Sequence, residues 1–205
     1  MRIVASLTLA VLFLVSQGGS LWAANSQTFT LSASVPLATS IGFTASRVAS
    51  SGGAFTAVTG NALSFDPMTF QTAIGIWLPN HYFAIDVAPV GGAGGTDVVV
   101  TYTEGTNPNP VGHGLGVKST ATFVKVVGTT ETGLTAHGPK KTLSALSGEH
   151  VLPAEITGGF LRVYLGIVAK DPAAVFPDPD NSEVFTTTDR AGTYTGTIVF
   201  TGTVV

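Results

Sequence analysis

Short segments in which apolar and small polar residues alternate recur along the whole chain. In SQTFTLSASVPL, the residues Phe29, Leu31, Ala33 and Val35 fall on one side and small polar residues fall on the other. Alternation with a period of two is the pattern of a β-strand that is buried on one face. Similar segments, separated by Gly, Pro and Asn, predict strands at 28–35, 40–45, 62–65, 82–88, 98–103, 121–127, 160–168 and 193–205.

The pattern between these strands predicts turns and loops rather than helices. No segment keeps a period of 3.6 residues, although 153–156 and the stretch around Ala145 could form one or two helical turns. The GGAGG segment at 91–95 separates two strand patterns and is interpreted as a hairpin loop. It does not resemble a phosphate-binding loop, because no helix and no GK[ST] follow it. The sequence therefore predicts one all-β domain, a β-sandwich without an internal linker or repeat.

The first residues have the order of a secretory signal peptide. Arg2 is followed by an apolar run at 3–15, then by SQGGS and by LWAAN with its small residues. The run is shorter than the roughly 20 residues that cross a bilayer as a helix. We expect cleavage after Ala23, which defines residues 1–23 as the signal peptide and exports the rest of the chain.

The amino-acid composition excludes some classes of function and favours others. Only 10% of the residues are charged, against roughly a quarter in typical soluble domains, which favours a surface covered by neighbouring subunits. The few Lys and Arg residues are scattered, so nucleic acid is not an expected partner. The chain has no Cys, and an exported protein without disulfides must be stabilised by its core or by its neighbours.

Candidate catalytic chemistry is weak. The four histidines are far apart in turn-like contexts and are expected to be solvated loop residues: His81, His113, His137 and His150. No HExxH or GxSxG motif is present, and a Ser/His/Asp triad could be chosen only arbitrarily. We expect no enzymatic activity and no cofactor.

One acidic segment, FPDPDNSE, could hold a metal ion. It carries Asp178, Asp180, Asn181 and Glu183, whose oxygens are the ligand type that Ca²⁺ prefers. The spacing does not match the twelve-residue calcium loop, and two prolines stiffen the path. A solvated, proline-rigid loop is the favoured interpretation, with the metal site as a weak alternative.

The C-terminal segment RAGTYTGTIVFTGTVV predicts a long strand. One face carries Tyr194, Ile198, Phe200 and Val204, and Gly196 and Gly202 interrupt that face. We expect shallow pockets between the large side chains. A strand this rich in Val, Ile and Thr is expected to lie well inside a sheet, since it would otherwise aggregate.

The two ends together resemble bacterial pilins of the chaperone-usher type. The N-terminal TLSASV at 30–35 and the C-terminal AGTYTG at 191–196 are similar to the ends of alpha-class, colonisation-factor-type major subunits. Spore-coat-U-like secreted proteins share a similar ending but generally carry cysteines. The matched motifs cover about a sixth of the chain, and the middle of the chain carries no part of the resemblance.

This resemblance implies an immunoglobulin-like sandwich, residues 37–205, that lacks its last strand. Residues 24–36 would then be a donor strand that enters the next subunit, with Phe29, Leu31, Ala33 and Val35 as donor side chains. The acceptor groove would be lined partly by Tyr194, Ile198, Phe200 and Val204. The implied partners are other copies of the chain, a periplasmic chaperone, an outer-membrane usher and a host or surface receptor, and the implied location is a fimbria on the cell surface.

Other functions remain open at this stage. The chain could be a secreted monomeric binding module for a glycan or a receptor, with its first strand paired in its own sheet. It could also be a coat or matrix protein that needs no chaperone and usher. The sequence leaves open whether the first strand enters its own domain or a neighbour, and whether the subunit belongs to the shaft or the tip.

Overall fold

The computed structural model of the chain describes residues 27–34, 41–89, 96–127, 135–136, 140–151, 159–171 and 176–204. Within these residues the protein is all-β, as expected, and its strands form mostly antiparallel sheets. The one helical element in the described part is a single 3₁₀ turn at Leu143–Ala145, which confirms the predicted turn around Ala145. The other predicted turn, at 153–156, lies outside the described residues.

The strands are numbered in chain order. They are β1 (Gln27–Ser34), β2 (Ile41–Ala49), β3 (Thr56–Ala57), β4 (Ala62–Ser64), β5 (Met68–Gln71), β6 (Ile76–Pro79), β7 (His81–Pro89), β8 (Thr96–Glu104), β9 (Ser119–Val127), β10 (Thr135–Ala136), β11 (Lys141–Thr142), β12 (Ser147–Val151), β13 (Gly159–Ile167) and β14 (Tyr194–Val204).

These strands form two larger sheets and one hairpin. The first sheet has the order β12-β8-β14-β1-β4, and the second has the order β10-β9-β13-β7-β2-β3, with β11 also paired to β9. β5 and β6 form the hairpin, which a bridge between Ile76 and Thr186 ties to the chain before β14. Neighbouring strands are antiparallel except for β1 and β14, which run parallel.

The main core contains side chains from both sheets, so the sheets face one another. The rings of Phe43 on β2 and Phe200 on β14 have their centroids 6.2 Å apart. Full burial of one such side chain stabilises the fold by roughly 1.5–3 kcal/mol. Fully buried members include Leu63, Val98, Val100, Ile198 and Phe200 from the first sheet and Ile85, Val87, Leu161, Val163 and Leu165 from the second.

The opposite face of the second sheet carries its own apolar cluster. Tyr82, Tyr164 and Phe176 meet edge to face, with centroids 4.6–6.0 Å apart. Arg162 lies among them, donates to both carboxylate oxygens of Asp86 at 2.6 and 2.9 Å, and stacks over a neighbouring aromatic ring. The second sheet is therefore buried on both faces along β13.

Each of the eight strands predicted from alternation is confirmed at its approximate position. Six short strands were not predicted: β3, β5, β6, β10, β11 and β12. The predicted hairpin across GGAGG is wrong: β7 pairs with β2 and β13, and β8 pairs with β12 and β14. The chain crosses between the two sheets at this point, because each strand covers the core from a different side. The GGAGG residues themselves lie outside the described residues.

Candidate assembly site at the N-terminal strand

The N-terminal strand occupies an interior position in the first sheet. β1 pairs with β14 over eight residues, from Gln27 opposite Tyr194 to Ser34 opposite Thr201. On its other side it pairs with β4, where Thr28 lies opposite Ser64. β1 therefore fills the slot between β14 and β4.

The register places the predicted donor residues opposite the glycine-interrupted face of β14. Phe29 lies opposite Gly196, with Leu63 of β4 on its other side. Leu31 lies opposite Ile198, and Ala33 lies opposite Phe200. The fourth predicted donor residue, Val35, is outside the described residues, as is the predicted signal peptide at 1–23.

The predicted groove residues of β14 belong to the main core. Tyr194 is 4% exposed, and Ile198 and Phe200 are fully buried. Val204 is the last residue of β14, and its side chain is outside the described part. The slot is thus bounded by core side chains of β14 on one side and by Leu63 of β4 on the other.

A side chain from β8 fills the gap at Gly196. The ring of Tyr102 lies so close to Gly196 that a Cβ there would be 2.5 Å from the Tyr102 Cζ and nearer still to its Oη. The expected shallow pocket at this glycine is therefore occupied by the chain itself. The Tyr102 hydroxyl donates to Glu104 Oε2 at 3.1 Å, and Glu104 accepts the backbone N–H of Leu115 and Gly116 at 2.8 and 2.9 Å.

β4 is held to the second sheet through a buried histidine. His81 is 2% exposed, and its Nε2 lies 2.8 Å from the carbonyl oxygen of Ser64 at the end of β4. Its Nδ1 lies 2.8 Å from Asn80 Oδ1. Burial lowers the pKa of His81. The hydrogen bond to Ser64 partly opposes this effect, and the smaller effects of Arg47 and Asp66 lower and raise the pKa respectively.

The expectation of solvated histidines is thus wrong for His81 and holds for two of the others. His113 and His150 have side chains that are 54% and 57% exposed. His137 lies outside the described residues. His81 is the first residue of β7; its ring stacks on Phe65 and meets Phe83 edge to face, so it lies against the main core.

A buried lysine near the start of β14 was not predicted. Lys118 is 4% exposed, donates to the carbonyl oxygen of Val184 at 2.9 Å and pairs with Asp189 at 2.9 Å. Burial alone would raise the pKa of Asp189, but hydrogen bonds from the Thr186 amide, Lys118 and Asn109 together lower it. This ion pair fixes the loop that leads into β14.

The acidic segment does not form a metal-binding group in the described part of the chain. Asp178 accepts the backbone N–H of Ala169 and Lys170. Glu183 contacts His113 and Lys118 instead. No group of three or more His, Cys, Asp or Glu side chains that could hold a metal ion occurs among the described residues, so Asp178, Asp180 and Glu183 do not form one.

A cleft of about 260 Å³ opens beside the start of β14. Trp77 of the hairpin, Phe185 and Tyr194 provide apolar and aromatic walls, and Arg190 lies at its edge. Aromatic walls with a few polar groups are common in small-molecule sites. The sequence analysis did not single out Trp77, because the hairpin that carries it was not predicted.

Comparison of the chain with protein-family models, with curated proteins and with solved structures gave no significant match. Over the residues that the structure describes, no helix combines the length and the apolar character needed to cross a membrane.

Proposed function

We propose that the protein is a structural, non-enzymatic subunit of an extracellular fimbria, whose subunits are joined by exchange of the N-terminal strand. In this proposal the fold is an immunoglobulin-like sandwich whose first sheet is completed by β1. The observation that carries the proposal is the position of β1, which fills the slot between β14 and β4. After the expected cleavage at residue 23, β1 would be joined to the rest of the sandwich at one end only.

Removal of β1 would open the first sheet along two edges. β14 would keep only β8 as a partner, and β4 has no other strand partner among the described residues. Open strand edges carry unpaired N–H and C=O groups and invite pairing with another chain. A slot without its strand is therefore a receptor for the same strand from a second copy.

The length of the connection between β1 and β2 limits the assemblies that strand exchange can form. Residues 35–40 span at most roughly 20 Å when extended, so a donated strand keeps its own domain close to the acceptor. If two subunits exchange strands reciprocally, the contact closes as a dimer. If each donates to the next, the contact is head to tail and propagates as a filament.

When β1 fills the slot of its own chain, it cannot enter the slot of a second copy, so the two arrangements compete. A short tether presents the strand to its own slot at millimolar effective concentration, and the pairing is the same in both arrangements. Efficient assembly therefore needs the slot to be kept open until a second copy arrives. A periplasmic chaperone would serve this purpose, and an outer-membrane usher would order the subunits at the cell surface.

The durability of such a fibre would come from its slow exchange. Release of a donated strand exposes core residues such as Ile198 and Phe200, so it requires partial unfolding of the acceptor. The barrier to that unfolding, rather than equilibrium affinity, would set the lifetime of the joint.

The test compares SDS-resistant multimers and solution mass for the full mature chain and for a chain without residues 24–36. We expect a multimer ladder on an unheated gel that collapses on boiling and disappears on deletion. Leu31→Lys should abolish the ladder, whereas Ser32→Lys, at the adjacent alternate position, should retain it. A stable monomer from both the full and the shortened chain would refute strand exchange.

A monomeric binding module for a glycan or receptor is the second candidate. The aromatic cleft beside the start of β14 favours it, because Trp77 provides an apolar surface for a sugar ring or a small apolar ligand. In that case β1 is an ordinary strand of its own sheet. A glycan array in which the monomer binds and Trp77→Ala does not would support this candidate over the filament.

A further inference from the structure

The cleft beside the start of β14 lies at the first residue of β1 as well. Tyr194 is the first residue of β14 and forms part of the cleft wall, and its register partner is Gln27, the first residue of β1. In the expected mature chain residues 24–26 precede β1, and we name them the leading segment. The leading segment is outside the described residues, but the point from which it starts is a cleft wall.

The direction of β14 points the leading segment toward the cleft. β1 and β14 are parallel, so a chain that continues backward from Gln27 follows the residues that precede Tyr194. Three of those residues line the cleft: Arg190, Ala191 and Gly192. Carrying the register back by three residues brings position 24 opposite Ala191 (27 − 24 and 194 − 191). The strand pairing itself therefore directs the leading segment along the cleft lining.

β4 leads to the same cleft from the other border of the slot. It is antiparallel to β1, with Ser64 opposite Thr28, so the residues after Ser64 run in the same direction as the leading segment. Met68 is the first residue of β5 and lines the cleft, and the hairpin that it opens also supplies Trp77. Both strands that border the slot thus continue into the lining of the cleft.

The lining offers an apolar surface that a small segment can cover. Phe185 and Tyr194 are 3% and 4% exposed, whereas Met68 and Trp77 are only partly buried. The leading segment reads Ala, Asn, Ser, and these small side chains let its main chain approach the rings closely. The cleft volume of about 260 Å³ suits such a segment better than a run of large side chains. Covering Trp77 removes apolar surface from water, which stabilises the docked segment.

We propose that this cleft is the docking site of the leading segment, so that residues 24–26 cover Trp77 whenever β1 fills the slot. The inference goes beyond strand exchange: it requires the pairing of β1 with β14, whether β1 comes from the same chain or from a second copy. In a fibre, the joint between two subunits then extends beyond the sheet to the hairpin. A filled cleft is closed to a sugar ring, so the docking and glycan binding in this cleft exclude one another.

The first experiment uses Trp77, the one tryptophan after residue 23, as its reporter. The full mature chain is compared with a chain that begins at Gln27 and keeps all of β1. We expect the shortened chain to emit at longer wavelength and to be quenched more strongly by acrylamide, because Trp77 loses its cover. Equal hydrogen-exchange protection of the Leu31 amide in the two chains shows that β1 remains in the slot.

The second experiment is disulfide trapping, which the absence of natural Cys makes specific. Ala24→Cys is combined with Ala191→Cys or with Met68→Cys, because a disulfide requires Cα atoms within about 7 Å of one another. We expect at least one of these pairs to form a disulfide under mild oxidation. The control pair, Ala24→Cys with Thr201→Cys, should remain reduced, since Thr201 is exposed at the other end of the slot, opposite Ser34. These pairs also decide the case in which deletion of the leading segment releases β1.

The two experiments separate the docking from the filament. A disulfide within one chain supports docking in the chain's own slot, and a disulfide between chains supports docking in a second copy; the SDS-resistant ladder tests strand exchange independently. The docking is overturned if neither test pair exceeds the control pair, or if Trp77 emission and quenching are unchanged while β1 stays in the slot. Glycan binding that needs Trp77, in a chain whose Leu31 amide stays protected, overturns it as well.

Discussion

Replacement of Gly196 by alanine tests the packing at the centre of the first sheet. The new methyl group would lie 2.5 Å from Tyr102 Cζ and closer still to Oη, so the Tyr102 ring must leave its position. That movement breaks its hydrogen bond to Glu104. Overpacking costs about 1–3 kcal/mol, and the lost hydrogen bond adds about 1 kcal/mol because Glu104 is exposed and can bond to water instead, so we expect Gly196→Ala to destabilise by about 2–4 kcal/mol.

The measurement is urea unfolding of the mature chain followed by tryptophan fluorescence. Trp77 is the one tryptophan after residue 23, so the signal has a single source. The same substitution is then made in a Tyr102→Ala background, where the methyl group has space. There we expect almost no cost, because alanine also lowers the entropy of the unfolded chain relative to glycine.

The two backgrounds together give a double-mutant cycle. A coupling energy of about 2–4 kcal/mol between positions 102 and 196 would confirm that the ring is what excludes a side chain at 196. Thr201→Ala, at an exposed position on the other face of β14, is the control and should cost less than about 0.5 kcal/mol. An equal cost for Gly196→Ala in both backgrounds would refute the reasoning.

Further predictions concern the two ion pairs. Lys118→Met should lower the free energy of unfolding by about 3 kcal/mol or more, because it leaves the carboxylate of Asp189 partly buried without its cation; urea midpoints within error of the natural chain would contradict this. The lowered pKa of Asp189 contributes stability that is present above pH 3.8 and lost as the pH falls further, so Asp189→Asn should flatten the decline of the urea midpoint below that pH. Arg162→Lys should lose the paired hydrogen bonds to Asp86 and the stacking on Phe55, at about 1–2 kcal/mol, which corresponds to a fall of about 2–8 °C in Tm for a chain of this size; an unchanged Tm would show that a point charge suffices there.

The long strands could be predicted because their pattern is local. β14 alternates over eleven residues, and buried and less buried positions alternate along it as expected. Except for β4, the strands of two to five residues, such as β3 and β12, are too short for alternation to be recognised in the sequence. Four of these unpredicted strands (β3, β10, β11 and β12) form against a longer neighbouring strand, and β5 and β6 pair with each other.

The partners of each strand could not be predicted. Alternation shows that one face is buried but not which sheet covers it, and this is why β7 and β8 were expected to form a hairpin. The burial of His81 and Lys118 could not be predicted for the same reason. Their local sequences resemble loops, and they are buried because Ser64 and Asp189 accept their hydrogen bonds from 17 and 71 residues away (81 − 64 and 189 − 118).

The pairing of β1 with β14 also fixes an order of events during synthesis. Leu31 and Ile198 are 167 residues apart (198 − 31), and closing a loop of that length costs roughly 4–5 kcal/mol from its logarithmic term. Almost the entire chain must emerge before its first strand finds its last, and such long-range contacts form late. Until β14 is in place the slot of a nascent molecule is incomplete. If strands are exchanged as proposed, the local concentration of other copies at that moment, rather than the stability of the finished fold, decides which β1 strand fills the slot.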